Sequence, residues 1–358
     1  MLAIFRRFSE MYSHFLLNIK NSLKRARVKL FLVALSFFER ATGTIITFKT
    51  HPLYSKDITA VADDLVDTPQ CAIVLQGGIM KKHDFTLETV RTYRKVYPRL
   101  TIVVSTWEDE DPIYLDLLRS AGAHVVLNKK PDYFGTWNIN LQIVSTKSGI
   151  KHAKELGIAY TIKSRTDQRM YERNILETLH NLVSHFPPAP WSGLRKRLIV
   201  CHLAYKYYDG YFPDMFMFGD TDDLLEYWDT QLLKKDAVYT GEFFSELYLT
   251  YSFRKRKGWP AVDSIQSVWE TYRDCAIVMD RNDIDLLWPK YEYFWEQPYT
   301  RKERYKRMTP SRKFMNRSFN DWFNIASNIE NKVISPIQKE TFAHFLEAVH
   351  LSDYERNI

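Results

Sequence analysis

The sequence predicts an α/β protein in which a mostly parallel sheet is flanked by helices. After residue 70, apolar β-forming runs alternate with helical patterns, and only short loops join them. Such βαβ units require a parallel sheet with right-handed crossovers. The 358 residues, of which 45% are hydrophobic, suffice for a large core. We expect an amphipathic helix before this sheet and a helical part after it.

The first 45 residues are basic and amphipathic. Residues 1–30 carry seven Lys and Arg side chains against one Glu, so they hold a net +6 of the formal +7. The apolar run Leu30–Phe38 follows, and it has about half of the ~20 residues that span a bilayer. This pattern predicts an interfacial helix on an anionic membrane surface. An amphipathic helix packed on the body of the protein is the alternative.

The composition argues against two kinds of site. The remainder of the chain is nearly neutral and contains no recognisable nucleic-acid-reading module, so we expect no nucleic-acid partner. Cys71, Cys201 and Cys275 are widely separated and lack the spacing of metal ligands. We therefore expect free thiols in a reducing compartment and no zinc site.

The first predicted strand ends in a glycine turn. Cys71–Ile79 reads as a buried strand that runs into Gln76 and Gly77, and a helix follows over Thr86–Tyr97. A strand, a glycine turn and a helix let backbone N–H groups approach a phosphate. A plain strand-to-helix turn has the same form, and neither a GxGxxG nor a P-loop pattern is present.

Two further strands precede a helix with a polar stripe. Strands are predicted over 101–109 and 123–132, with a helix over 111–121 between them. In the helix that begins near residue 137, Asn138, Gln142 and Ser145 share one face. Such amides read hydroxyls or a base edge where they line a cleft, and have no such role on a solvated surface.

The next strand delivers the densest cluster of charge. An apolar run over 158–162 leads into Lys163, Arg165, Asp167 and Arg169. Open α/β sheets bind their ligands at this end of their strands. An aspartate among cations suits an anionic substrate held partly through a divalent metal. The alternative is a strand end whose charges pair with one another.

The second half of the chain contributes further acidic residues. A strand is predicted over Met215–Asp220, directly after Asp214, and a helix over Thr221–Lys235. A later helix over Gly241–Gly258 carries Glu242 and Glu246 on one face, because they are four residues apart.

Several of these segments, taken in order, resemble the WavE lipopolysaccharide-synthesis family. The segments are IVLQGGI, a strand ending in STWE, NINLQIVSTKSGI, IKSRTDQR, DMFMFGD and SELYLTY, within about residues 70–300. The resemblance implies a GT-A-like, Rossmann-type glycosyltransferase that uses a nucleotide-activated sugar to build surface polysaccharide. It also implies a cytoplasmic, peripheral position on the inner face of a bacterial inner membrane.

The resemblance assigns roles to individual residues. GT-A enzymes usually bind Mn²⁺ or Mg²⁺ through a DxD triplet, and here only its second carboxylate, Asp167, is present. Asp167, directly or through metal, is expected to hold the donor diphosphate with Arg165 and Arg169. Asp214 or Glu246 is expected to act as the general base, with Glu242 as a third candidate. The other expected donor-binding residues are Gln76, Gly77, Ser105, Glu108, Asn138 and Gln142.

These expectations divide the chain into three parts. A membrane-associating segment covers 1–45, a catalytic domain covers 69–285, and a helical extension covers 286–358. The catalytic domain has a nucleotide-binding half, 69–173, and an acceptor-side half, 174–285.

The expected partners are a nucleotide sugar and a glycan or glycolipid acceptor. A nucleotidyl- or phosphotransferase of polysaccharide synthesis, or a non-catalytic component of the assembly machinery, are the alternatives.

Overall fold

A computed structural model describes residues 22, 26–43, 45, 49–59, 69–201, 211–235, 245–262, 264–289 and 318–328. The chain divides into two compact units, Met1–His51 and Pro52–Ile358. Glu242 and most of the expected C-terminal extension lie outside the described residues. The three-part division made from the sequence stays a prediction.

Helix α1, over residues 26–42, dominates the described part of the first unit. Most of its apolar side chains are exposed, including Leu30 at 72%, Val33 at 67% and Phe37 at 70%. Arg27 and Lys29 are exposed on the same helix. None of the helices within the described ranges has the length and hydropathy needed to cross a bilayer.

The second unit contains one large mixed sheet and a separate pair of short strands. Its strands are β1 (Cys71–Gln76), β2 (Thr101–Trp107), β3 (His124–Asn128), β4 (Tyr160–Arg165), β5 (Arg169–Met170), β6 (Leu198–Cys201), β7 (Met217–Asp220), β8 (Ala276–Met279) and β9 (Leu286–Leu287). Seven of these described strands pair in the order β3-β2-β1-β4-β7-β6-β8, and β5 pairs with β9. β7 runs antiparallel to both of its neighbours, and the other pairs within the large sheet are parallel. The predicted α/β class with a mostly parallel sheet is confirmed.

Helices flank this sheet. They are α2 (Phe85–Val96), α3 (Pro112–Ser120), α4 (Ile139–Glu155), α5 (Ile175–His185), α6 (Thr221–Trp228), α7 (Ser245–Lys257), α8 (Ile265–Cys275), α9 (Arg281–Ile284) and α10 (Phe319–Asn328). The local sequence determines where α3 begins. Asp111 caps α3, where its side chain accepts a 3.0 Å hydrogen bond from the Ile113 N–H, and Pro112 follows as the first helical residue.

Helix α4 packs closely on β1 and β2. Every residue of β1 is buried, as expected for a parallel strand covered on both faces. Gly149 permits the approach, because a Cβ at this position would overlap the Val74 side chain and lie 3.0 Å from the Ser105 Cβ. This contact holds the helix against the sheet, with its first turn toward the carboxyl ends of the strands.

The strand order places a topological switch point, where a crevice is expected, between β1 and β4. From β1 the chain moves outward to β2 and β3, then returns through α4 to the opposite side of β1. Open α/β sheets bind ligands outside the carboxyl ends of strands at such a switch point. Lys163 on β4 lies opposite Met217, the first residue of the antiparallel β7. Residues just before β7 therefore reach the same edge as the end of β4.

Candidate active site

Charged side chains from three segments meet at the carboxyl end of β4. Lys163 Nζ lies 4.0 Å from Asp214 Oδ2, and Arg165 forms an ion pair with Asp167 at 2.8 Å. Glu246, on the first turn of α7, interacts electrostatically with Asp214, Lys163 and Arg165. The structure thus brings together four of the residues singled out in the sequence: Arg165, Asp167, Asp214 and Glu246.

Arg165 and Asp167 form a fixed pair beneath a tryptophan ring. Arg165 Nε donates to Asp167 Oδ1 at 2.8 Å, and Nη2 donates to Oδ2 at 3.3 Å. Trp288 Nε1 donates to the same Oδ2 at 3.0 Å, while its ring centroid lies 5.1 Å from the Arg165 guanidinium carbon. The side chains of Arg165 and Asp167 remain 26% and 20% exposed. Asp167 and Trp288 therefore orient the Arg165 guanidinium, which remains partly exposed at the carboxyl end of β4.

Asp214 is a buried carboxylate, and one of its oxygens accepts no hydrogen bond from the described residues. The residue is only 8% exposed, and its backbone carbonyl accepts a hydrogen bond from Lys163 Nζ. Among the described residues, no donor lies within hydrogen-bond distance of Asp214 Oδ2. A buried acceptor without a donor is costly, so this oxygen is suited to a donor supplied by a ligand.

Glu246 holds its proton more tightly than an ordinary glutamate. Burial, and next the repulsion of Asp214, raise the pKa of Glu246 to about 7, against the opposing attraction of Lys163 and Arg165. Two neighbouring carboxyl groups in one buried site do not ionise independently. The site consequently offers one carboxyl group that exchanges a proton near neutral pH.

The two polar side chains expected at the ends of β1 and β2 lie inside the protein. Gln76 is 3% exposed, and its Oε1 accepts a 2.9 Å hydrogen bond from Ser145 Oγ on α4. Ser105 is fully buried, and its Oγ accepts from Asn128 Nδ2 at 3.0 Å. Gly77, with φ of 111°, donates its N–H to the Ser105 carbonyl at 3.1 Å. These contacts join the strand ends to each other and to α4.

The remaining donor-site candidates lie at the rim. Glu108 is exposed after β2. Asn138 is exposed at the start of α4, and α7, which carries Glu246, packs against its segment, Thr136–Asn138. Gln142 Nε2 donates to the Trp137 carbonyl at 3.4 Å, whereas its buried Oε1 has no partner among the described residues. Asn138 and Gln142 thus share the end of α4 near the cluster.

Arg169 occupies a different place from the one we expected. It is fully buried, and its guanidinium donates to the carbonyls of Leu53 at 2.8 Å and Phe85 at 3.0 Å, and to Thr89 Oγ1 at 2.9 Å. Arg169 lies on β5, which pairs with β9 outside the large sheet. Its donors tie α2 to the segment before β1, so its geometry supports the fold and not a phosphate.

The residues described around Asp167 do not fit the metal site that the resemblance implies. Both oxygens of Asp167 already accept hydrogen bonds from Arg165 or Trp288. Within the described ranges, no group of three or more His, Cys, Asp and Glu side chains is arranged to hold a metal ion. We therefore derive no step through a metal.

Two residues of this site received no role in the sequence analysis. Trp288 contacts Asp167 from 121 residues away, and no local pattern marks such a partner. Lys163 was visible in the charged run, directly after an apolar strand pattern. That position is the signal that could have found it, because a lysine that is fully buried, as Lys163 is, needs a partner.

Comparison with solved structures gives several distant similarities. The chain is 12% identical to the mannosyltransferase PcManGT from Pyrobaculum calidifontis in complex with GDP-Man and Mn²⁺, with a TM-score of 0.36, covering 84% of this chain and 75% of that one. For 4-diphosphocytidyl-2C-methyl-D-erythritol synthase from Anaerococcus prevotii, the identity is 14%, the TM-score 0.32, and the coverage 60% and 87%. For mouse xyloside xylosyltransferase 1 in its apo form, the identity is 10% and the TM-score 0.32, and the match covers 60% of this chain and 85% of that one.

Sequence comparison is more specific. No curated protein sequence gives a significant match. The family model described as WavE lipopolysaccharide synthesis matches residues 71–273, more than half of the 358 residues. The matched range contains β1, β4, Asp214 and Glu246. The resemblance read from the sequence is thereby confirmed, and the chain belongs to the WavE lipopolysaccharide synthesis family.

Proposed function

We propose that this chain is a glycosyltransferase that moves a sugar from a nucleotide-sugar donor to a surface glycan, such as lipopolysaccharide or capsule. The observation that carries the proposal is the cluster of Arg165, Asp167, Asp214 and Glu246 at the switch point of the sheet. A guanidinium binds phosphate oxygens, and carboxylates accept protons. The family's description supports the class of acceptor.

The proposed reaction forms one C–O bond and breaks another. The acceptor hydroxyl, oriented by Asp214 Oδ2, attacks the anomeric carbon and passes its proton to ionised Glu246. The bond between that carbon and the diphosphate breaks, and its electron pair leaves with the nucleoside diphosphate. Arg165 stabilises the negative charge that develops there. A base with a pKa near the working pH suits this step, and the raised pKa of Glu246, about 7, supports its role.

A thermal-shift screen against nucleoside diphosphates and their sugar conjugates tests donor binding. A ligand that binds only the native state raises the melting temperature by mass action. We expect one nucleotide class to do so, and Arg165→Met to remove the response. Arg119→Met, at an exposed ion pair on α3, is the matched control and retains the response. Repeating the screen with Mn²⁺, with Mg²⁺ and with chelator shows whether donor binding depends on a divalent metal.

Product analysis separates this proposal from its alternatives. Glycosyl transfer releases a nucleoside diphosphate, whereas nucleotidyl transfer releases pyrophosphate. Pyrophosphate as the product would replace the proposal with a nucleotidyltransferase. The absence of both nucleotide binding and turnover would favour a non-catalytic component of the assembly machinery.

We further propose that α1 docks the enzyme on the anionic inner face of the bacterial inner membrane. The support is an exposed apolar surface, with Phe37 at 70% and Phe38 at 58%, on the same helix as exposed Arg27 and Lys29. Apolar insertion and attraction to anionic lipid together hold an interfacial helix. A membrane position also gives access to a glycolipid acceptor.

Vesicle co-sedimentation tests the membrane proposal. We expect binding to vesicles with phosphatidylglycerol and weaker binding to pure phosphatidylcholine. Replacing Phe37 and Phe38 by Ser removes about 1.5 kcal/mol or more of apolar burial, which is at least a tenfold loss of affinity. Ile113→Ser, at a residue that is 74% exposed on α3, is the control and leaves binding unchanged. Equal binding by all three proteins would refute α1 as the docking element.

A further inference from the structure

Lys163 is a fully buried lysine in the middle of the site's central strand. It lies on β4, has no exposed surface, and stands beside the Trp228 ring, with Nζ 4.9 Å from the ring centroid. Lysine is almost never fully buried unless it is paired. Burial lowers the pKa of Lys163 to about 8, and the attraction of Asp214 opposes this effect. The ammonium group is therefore charged at neutral pH.

The partner of this charge is Asp214. Lys163 Nζ donates to the Asp214 backbone carbonyl and lies 4.0 Å from its Oδ2. One side chain thus contacts both the backbone and the carboxylate of the same residue. The contact fixes where Asp214 stands and supplies a positive charge next to a carboxylate that is 8% exposed.

We propose that Lys163 is a positioning residue whose ammonium group holds the Asp214 carboxylate in place, so that the exchangeable proton of the site resides on Glu246. The two carboxyl groups then have different roles in the same site, one as a fixed acceptor and one as the proton carrier. The roles of the two carboxyl groups in sugar transfer rest on the proposed function. Their protonation states can be measured whether or not that function is correct.

The surrounding charges are consistent with this division. Among the described residues, the other ionisable groups that act on Lys163, Asp214 or Glu246 include Arg165, Asp167 and Tyr227. Arg165 is paired with Asp167 in a bidentate contact, so these two charges largely balance each other. Tyr227 donates to, or accepts from, Thr250 Oγ1 at 2.9 Å, and burial raises its pKa, so it stays neutral. Within the part of the chain that the structure describes, Lys163 is thus the cation in direct contact with Asp214.

Infrared difference spectra of the protein without substrate test the protonation states. Near pH 6, the contribution of Glu246 to the protonated carboxyl bands should disappear in Glu246→Gln and persist in Asp214→Asn, whereas the contribution of Asp223, whose pKa burial raises to about 6, is present in every variant. In Lys163→Met, an additional protonated band should appear, and Asp214→Asn should remove it. Lys163→Arg, which retains the charge, should restore the wild-type spectrum. An ionised Asp214 in folded Lys163→Met, or a protonated Asp214 in the wild-type protein, would overturn the proposal.

The pH profile of sugar transfer gives a second, independent measure. Loss of an adjacent cation raises a carboxyl pKa by about 1–3 units, so the acid limb of the Lys163→Met profile should move to higher pH by that amount. A merely structural lysine would lower activity at every pH without moving the limb. An unmoved limb with residual activity would overturn the catalytic consequence. If no donor is turned over, the proposed function fails and the infrared result still decides the role of Lys163.

A double variant covers the case in which Lys163→Met does not fold. Removing one partner of a buried pair leaves an uncompensated charge, whereas removing both does not. We therefore expect Lys163→Met combined with Asp214→Asn to melt at a higher temperature than Lys163→Met alone. If the double variant is no more stable, the pairing is refuted. The wild-type infrared spectrum remains decisive in either case.

Discussion

The pH dependence of stability gives a direct test of the buried Glu246. Burial and the repulsion of Asp214 raise its pKa from the usual 4.5 to about 7. At 1.36 kcal/mol per pH unit, the interval between 4.5 and about 7 corresponds to about 3 kcal/mol. Replacing Glu246 by Gln removes the ionisation and keeps the shape of the side chain. The variant should therefore lose this part of the pH dependence.

The direction follows from the protons bound in each state. Between pH 4.5 and about 7, the folded protein holds a proton on Glu246 that the unfolded chain has released. Stability therefore falls as the pH rises through this interval, and the contribution is fully present only below 4.5. Lys163 acts in the opposite direction in a separate window, because its folded pKa is lowered from 10.5 to about 8. Stability recovers as the pH rises from about 8 toward 10.5.

Urea unfolding of both proteins at pH 5 and pH 8 provides the measurement. From pH 5 to pH 8, the wild-type free energy of unfolding should fall by about 2–3 kcal/mol more than that of Glu246→Gln, because the measurement starts half a unit above 4.5. The pKa of Asp223, which burial raises to about 6, contributes equally to both proteins and cancels. The same change in both proteins would show that Glu246 ionises as freely as in the unfolded chain, and would refute the reasoning.

Three further predictions concern the fold and the donor site. Arg169→Met removes the donor of three hydrogen bonds, two to buried acceptors and one to a part-buried carbonyl, so calorimetry should show a loss of about 3 kcal/mol or more in the free energy of unfolding. The nucleotide-induced thermal shift should persist in the folded variant, and its loss alone would return Arg169 to the donor site. Gly149→Ala should destabilise by about 1–3 kcal/mol through overpacking on β1, and Ser148→Ala by less than about 0.5; equal effects would contradict the close approach of α4. Trp288→Phe removes one hydrogen bond to Asp167 and should weaken nucleotide binding about fivefold in titration calorimetry. Unchanged affinity would separate this contact from the donor site.

The sequence predicts the first half of the fold well because its signals are local. Continuous apolar runs mark β1, β2 and β4, and the structure has strands in each of these runs. Boundaries are less well predicted: the helix expected over Thr221–Lys235 ends at Trp228. β8 was missed because its four residues, starting at Ala276, follow α8 directly at Cys275. No turn residue separates the two elements, so the local pattern does not reveal the change.

The candidate site is less predictable because its contacts are between distant residues. Arg165 and Arg169 look equivalent in the sequence, four residues apart in one charged run. The chain leaves the large sheet after Arg165, and Arg169 then lies on β5 against a different partner strand. Only the tertiary structure shows that Arg165 stays partly exposed and pairs with Asp167, whereas Arg169 is fully buried.

The direction of β7 explains how two carboxyl groups reach one end of the sheet. In a wholly parallel sheet, a residue that precedes a strand lies at the edge away from the ligand. β7 is antiparallel to β4, so Asp214, which precedes it, comes to the carboxyl end of β4. Lys163 lies opposite Met217 in this register, and a slip of one residue would turn its side chain to the other face. The one reversed strand of the described sheet thus sets both the place of Asp214 and the lysine that holds it.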